Sequence, residues 1–145
     1  MLGPMTRTVH EQGEDAVDVA TFLDGVANAR RRAEATVLLP VLECATGQPP
    51  RMWGGGIVGF GRYHYRYATG REGDAAAAGF APRAGALTLY FPLGFDGLDD
   101  GLARLGPHTT SASCLYVKRL AAVDLDVLGE LVRASYARVV AHTWE

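Results

Sequence analysis

Lysine is nearly absent from this 145-residue chain: Lys118 stands alone among fourteen basic residues, the rest being arginine. Such a bias fits a coding preference for Arg and Ala. It gives arginine a special role only where a bidentate anion contact is built. Cysteine is also scarce. Cys44 and Cys114 lie far apart with no second pair, which excludes a disulfide framework and predicts buried thiols in a reducing compartment. No apolar run is long enough to span a bilayer, and the first residues are polar and acidic where a signal peptide would be apolar, so a cytoplasmic protein without membrane partners is expected. Charge of either sign is not in excess either. A net charge of −2 gives little drive toward DNA or RNA.

What is present is ordinary globular material, 48% hydrophobic and 21% charged, in a length that predicts one domain with its own core. Residues 1–15 show no period and are expected to form an arm ahead of a domain at 16–145. Apolar spacing predicts helices over Val17–Val26 and Ala29–Ala45, with Pro40 expected to kink or break the second. Thr46–Pro50 stops that helix.

Met52–Tyr67 then reads as one long strand. Position parity places Ile57, Gly59, Gly61, Tyr63, Tyr65 and Tyr67 on one face and Val58, Phe60, Arg62, His64 and Arg66 on the other. Parity alone leaves open which face meets the core, since both carry large side chains. A glycine-bearing turn at Thr69–Asp74 precedes a strand at Ala76–Ala81. Pro82–Gly85 turns the chain into Ala86–Phe91, with Leu87, Leu89 and Phe91 on one side and Thr88 and Tyr90 on the other. A short helix at Gly97–Leu105, a strand at Cys114–Val117 and a helix at Leu125–Ala141 follow. Segregated helices and strands predict an α+β fold, an antiparallel meander packed against N- and C-terminal helices.

Gly54-Gly55-Gly56-Ile57-Val58-Gly59 matches the dinucleotide fingerprint in letters only. That motif needs a helix after it, and here a strand continues, so the glycines instead predict a bulge or a close approach to the backbone. No cofactor is expected. Nor does a catalytic set emerge: Ser111 and Ser113 lack a nucleophile-elbow setting, and no orienting carboxylate is visible beside His64. Arg62 and Arg66 flank His64 on its strand and predict a neutral imidazole. The expected site is a pocket with an aromatic wall, drawing on Trp53, Tyr63, His64, Tyr65, Arg71, Arg83, Cys114 and Tyr116. Arg71 and Arg83 stand at opposite ends of one strand, which argues against a shared anion.

The segments Met52-Trp53-Gly54, Ile57–Gly61, Tyr63–Tyr67, Gly70–Asp74, Gly79–Arg83 and Ser113–Tyr116 together resemble the bacterial YdhG-like family, domain of unknown function 1801. The resemblance covers roughly 22–135. It implies a compact α+β fold without established catalysis. Ala75, Ala81 and Ala84 depart from the family's Trp, Ser and Lys, and 106–113 lacks its lysines. One branch is similar to frataxin and implies iron delivery by carboxylates, for which Glu11, Glu14, Asp15, Asp18, Asp96, Asp99 and Asp100 are the candidates. The expected function is therefore a small binding domain for a small molecule or protein segment. An iron chaperone is the alternative, a His64-based enzyme trails both, and exposed strand edges leave room for self-association.

Overall fold

The computed structural model describes residues 16–142. The proposed arm at 1–15 lies outside them. In order the chain forms α1 (Ala16–Asp24), α2 (Ala29–Thr46), β1 (Pro50–Trp53), β2 (Ile57–Arg66), β3 (Glu72–Pro82), β4 (Leu87–Tyr90), α3 (Asp99–Leu105), β5 (Thr109–Thr110), β6 (Cys114–Val117), a 3-10 turn (Leu120–Ala122) and α4 (Leu125–Ala141). Six strands form one sheet in the order β1-β2-β3-β4-β6-β5, and every neighbouring pair is antiparallel. This is the expected α+β architecture.

The anticipated long strand is in fact two. β1 folds back on β2 with Trp53 opposite Ile57, and Gly54–Gly56 make the turn between them. Gly55 and Gly56 sit at φ 81° and 77°, a region that only glycine enters cheaply, so the triplet is hairpin chemistry. β3 is longer than expected and starts at Glu72. Its alanines give no period to read. α2 is one continuous helix despite Pro40, because Ala35, Leu38 and Leu42 are fully buried and hold its two halves to the same core.

Alternation along the strands sorts the sheet into two faces. Val58 and Phe60 of β2, Ala78 and Phe80 of β3, Leu87 and Leu89 of β4, and Leu115 and Val117 of β6 join Leu38, Leu42, Leu128 and Leu131 in the core. α2 and α4 pack on each other and on this face. The tyrosine face of β2 is the one left for a pocket.

The strands are unequal, and that has a consequence. β1 pairs with β2 only from Pro50↔Phe60, and β4 pairs with β3 only from Gly79 onward. Arg62–Arg66 and Glu72–Ala76 therefore pair only with each other, as a two-stranded ribbon that extends past its neighbours.

The expected buried thiols are not found. Cys44 is exposed on α2 and Cys114 is half-buried in β6, since only one stripe of that helix and one face of that strand meet the core.

Candidate functional site

The sheet face opposite α2 and α4 carries a cavity of about 310 Å³. Five rings converge on it: Trp53 from the end of β1, Tyr63 and Tyr65 from the ribbon, Tyr67 just beyond it and Tyr90 from the end of β4. Arg71 is the one charged residue in the lining.

Glycines set the depth of this surface. A Cβ on Gly59 would lie 2.4 Å from the Trp53 ring, so the indole rests where a side chain would stand. Trp53 is buried, Arg62 lies 5.5 Å from its ring centroid, and its Nε1 has no hydrogen-bond partner. Tyr65 crosses to its β3 partner Gly73, where a Cβ would lie 2.7 Å from the phenol oxygen. Without side chains at Gly59 and Gly73 the two rings approach the strand backbone directly.

The tyrosines form a graded row. Ring centroids are 6.2 Å apart between Tyr63 and Tyr65 and 5.3 Å between Tyr65 and Tyr67. Burial pushes the Tyr63 phenol up to about 12, with the neighbouring Tyr67 and Tyr65 adding to the shift. Tyr63 thus stays protonated and able to donate across the physiological range.

Of the residues expected at the site, Trp53, Tyr63, Tyr65 and Arg71 line the cavity together. Arg83 does not line it, but its Nη2 donates to the Tyr90 hydroxyl at 3.2 Å. Cys114 lies opposite Tyr90 in the β4–β6 register and is outside the lining. Tyr116 is two pairs further along, opposite Thr88, and its hydroxyl is 3.2 Å from Ser111 Oγ. Arg71 and Arg83 stay apart, at either end of β3.

His64 is on the other side of the ribbon. Its Nδ1 lies 2.9 Å from Asp74 Oδ1 and its Nε2 2.8 Å from Glu72 Oε1. The neutral imidazole expected from Arg62 and Arg66 is corrected here. Hydrogen bonds to Glu72 and Asp74 raise the His64 pKa, because its cross-strand neighbours are carboxylates in direct contact.

Tyr90, Ser113 and Pro92 were missed as site residues although all three line the cavity. For Tyr90 a signal existed, since alternation in β4 already set it opposite Leu87 and Leu89. Ser113 and Pro92 arrive by loop geometry, which has no period.

Comparison of the chain with protein-family models, with curated proteins and with solved structures found no match. Function has to be read from the site alone. Among the described residues no group of three His, Cys, Asp or Glu side chains could hold a metal ion. Glu11, Glu14 and Asp15 of the iron reading lie outside the described residues. Asp100 is paired with Arg104 at 3.3 Å. No described helix is long and apolar enough to cross a membrane.

Proposed function

We propose that the protein is a small-molecule binding domain whose aromatic cradle takes a flat, mainly apolar ligand with one acidic or hydrogen-bond-accepting group. The observation that carries this reading is the convergence of five rings and a single arginine on one cavity of about 310 Å³. That volume is at the small end of ligand pockets and suits one or two fused rings better than a peptide segment. Ring faces supply stacking surface, Tyr63 supplies a donor, and Arg71 supplies the counter-charge for the acidic group. The YdhG-like resemblance contributes nothing here beyond an α+β fold.

Fluorescence of Trp53, read in a Trp144→Phe background, tests the proposal with indole-3-carboxylate, uncharged indole and hexanoate as probes. Saturable quenching by the two ring compounds is expected, tighter for the carboxylate, with hexanoate inert. Ala75 also lines the cavity and is not part of the core. Ala75→Leu should fill the cradle and abolish the signal while leaving thermal unfolding unchanged. Equal response to hexanoate, or quenching that survives Ala75→Leu, would sink the reading.

A further inference from the structure

The helical layer carries a second apolar seam that its own chain leaves uncovered. Along α2 the core takes Ala35, Leu38, Leu42 and Ala45, at steps of three and four residues. A different set, Ala33, Val37, Pro40 and Cys44, follows steps of four, three and four on another side of the helix, and all four are exposed. That is the spacing of a coiled-coil contact line. Val37 is 47% exposed, one of three large hydrophobic side chains so placed among the described residues.

This seam is the wall of a groove. Two hollows of about 270 and 520 Å³ lie against it, the first taking in Ala33 and Val37 and the second Pro40 and Cys44, and they share Leu125 at the start of α4. From Arg30 to Cys44 the helix runs about 20 Å, roughly four turns, which is a length that a second helix can cover. The aromatic cradle opens on the opposite face of the sheet, so a partner on this groove leaves it free.

Charge along the groove says what fits it. The first turn of α2 holds three arginines and no acid, its last turn has no base, and Glu43 is exposed near its end. Both ends therefore oppose the helix dipole, which favours acids at the start and bases at the end. Arg30 lies 3.9 Å from Glu34, but that carboxylate is already held by Arg31 and the Leu120 amide. The other wall repeats the gradient: Arg119 borders the first hollow, and Asp126 and Glu130 outnumber Arg133 at the second. An antiparallel helix with the same charge order answers both ends at once, since its acidic end meets these arginines and its arginines meet Glu43. A parallel copy would set Arg30 against Arg30.

We propose that two copies of the chain dimerise here, α2 against α2 in antiparallel order about a two-fold axis level with Leu38 and Leu39. Such an isologous contact needs a self-complementary surface, and a groove basic at one end and acidic at the other is one. Layers of the seam then pair Val37 with the partner's Pro40, and Ala33 with the partner's Cys44. The proline ring, uncovered in its own chain, gains a packing neighbour. A contact of about four turns is at the small end of stable interfaces, so micromolar affinity is expected.

Sedimentation equilibrium of the full chain reads the dimer, as a mass that rises with concentration to twice that of the chain. Val37 is exposed, so Val37→Glu should leave thermal unfolding of the dilute chain unchanged and weaken dimerisation by roughly a hundredfold or more. Arg30→Glu and Glu43→Arg should each weaken it, and the double variant should recover it. Each of these changes suits the helix dipole, so loss of fold cannot account for the single effects. Ala33→Cys in a Cys114→Ser background tests the register. Positions 33 and 44 of one helix are about 16 Å apart, beyond disulfide reach, so the antiparallel dimer is what brings the new thiol to the partner's Cys44. Mild oxidation should then give a covalent dimer that the Cys114→Ser parent does not give. The proposal is overturned by a chain that stays monomeric up to about 1 mM, leaving the seam to some other protein. A dimer that survives Val37→Glu, or crosslinking that is equal in the parent, would overturn it as well.

Discussion

Both ring nitrogens of His64 face carboxylate oxygens, and ionised carboxylates only accept hydrogen bonds, so the imidazolium is the form that satisfies both contacts. The His64 pKa accordingly lies above its ordinary 6.5, and hydrogen bonding from His64 holds Glu72 below its ordinary 4.5, helped by the Arg66 charge. A histidine raised by folding stabilises fully below 6.5 and loses that contribution as pH climbs through its folded pKa. A glutamate lowered by folding stabilises above 4.5 and loses its contribution as pH falls through its own folded pKa. The ribbon should therefore be most protected between about 4.5 and 6.5, where both contributions are complete. Exchange protection of amides in Arg62–Arg66, corrected for intrinsic rates, should peak there and fall on both sides, and His64→Gln should flatten the profile. An NMR titration placing His64 at or below 6.5 would refute the clasp.

Among the elements, α2 carries the clearest internal conflict. Pro40 removes the backbone donor that would meet the Thr36 carbonyl, at an exposed position where the proline ring buries nothing within its own chain in compensation. Pro40→Ala should restore that bond. After allowing for the more flexible unfolded chain, a gain of about 1–2 kcal/mol is expected in urea denaturation with an unchanged m-value. A neutral or destabilising result would mean that the helix has relaxed around the proline. The sequence announced the proline but not its tolerance, which follows from the buried stripe through Ala35, Leu38 and Leu42. The strands divide in the same way. β4 and β6 were legible from apolar alternation and α4 from its 3.6-residue period. β3 was legible only over Ala76–Ala81, its start at Glu72 lying outside that reading, and the β1–β2 hairpin hid inside one aromatic run.

At the scale of the whole molecule, Glu34 ties two distant parts of the chain together. Its Oε1 pairs with Arg31 at 2.7 Å, and its Oε2 accepts from the Leu120 backbone N–H at 2.9 Å, 86 positions away. The Arg31 side chain is 4% exposed and the Glu34 side chain 10%, so breaking the pair leaves a buried cation and an unmet amide. Glu34→Ala should cost about 3–5 kcal/mol in global stability, and Glu34→Gln less, because the amide oxygen can still serve Leu120. A loss below about 1 kcal/mol in Glu34→Ala would show that the link is solvated in solution. Nothing in the sequence marked Glu34, since its partner at Leu120 is a backbone group with no side-chain signature.

Composition and local periodicity determined the fold class, the helices and the aromatic character of the Met52–Tyr67 stretch. Those features follow from which residues lie three, four or two positions apart, and neighbours along the chain suffice to read them. Strand register and the relative lengths of β1, β2, β3 and β4 decided everything else about the site. They set Val58 and Phe60 against the helices, left the tyrosine face open and brought Glu72 and Asp74 to the two nitrogens of His64. These placements depend on contacts between residues far apart in sequence, and no local pattern encodes them.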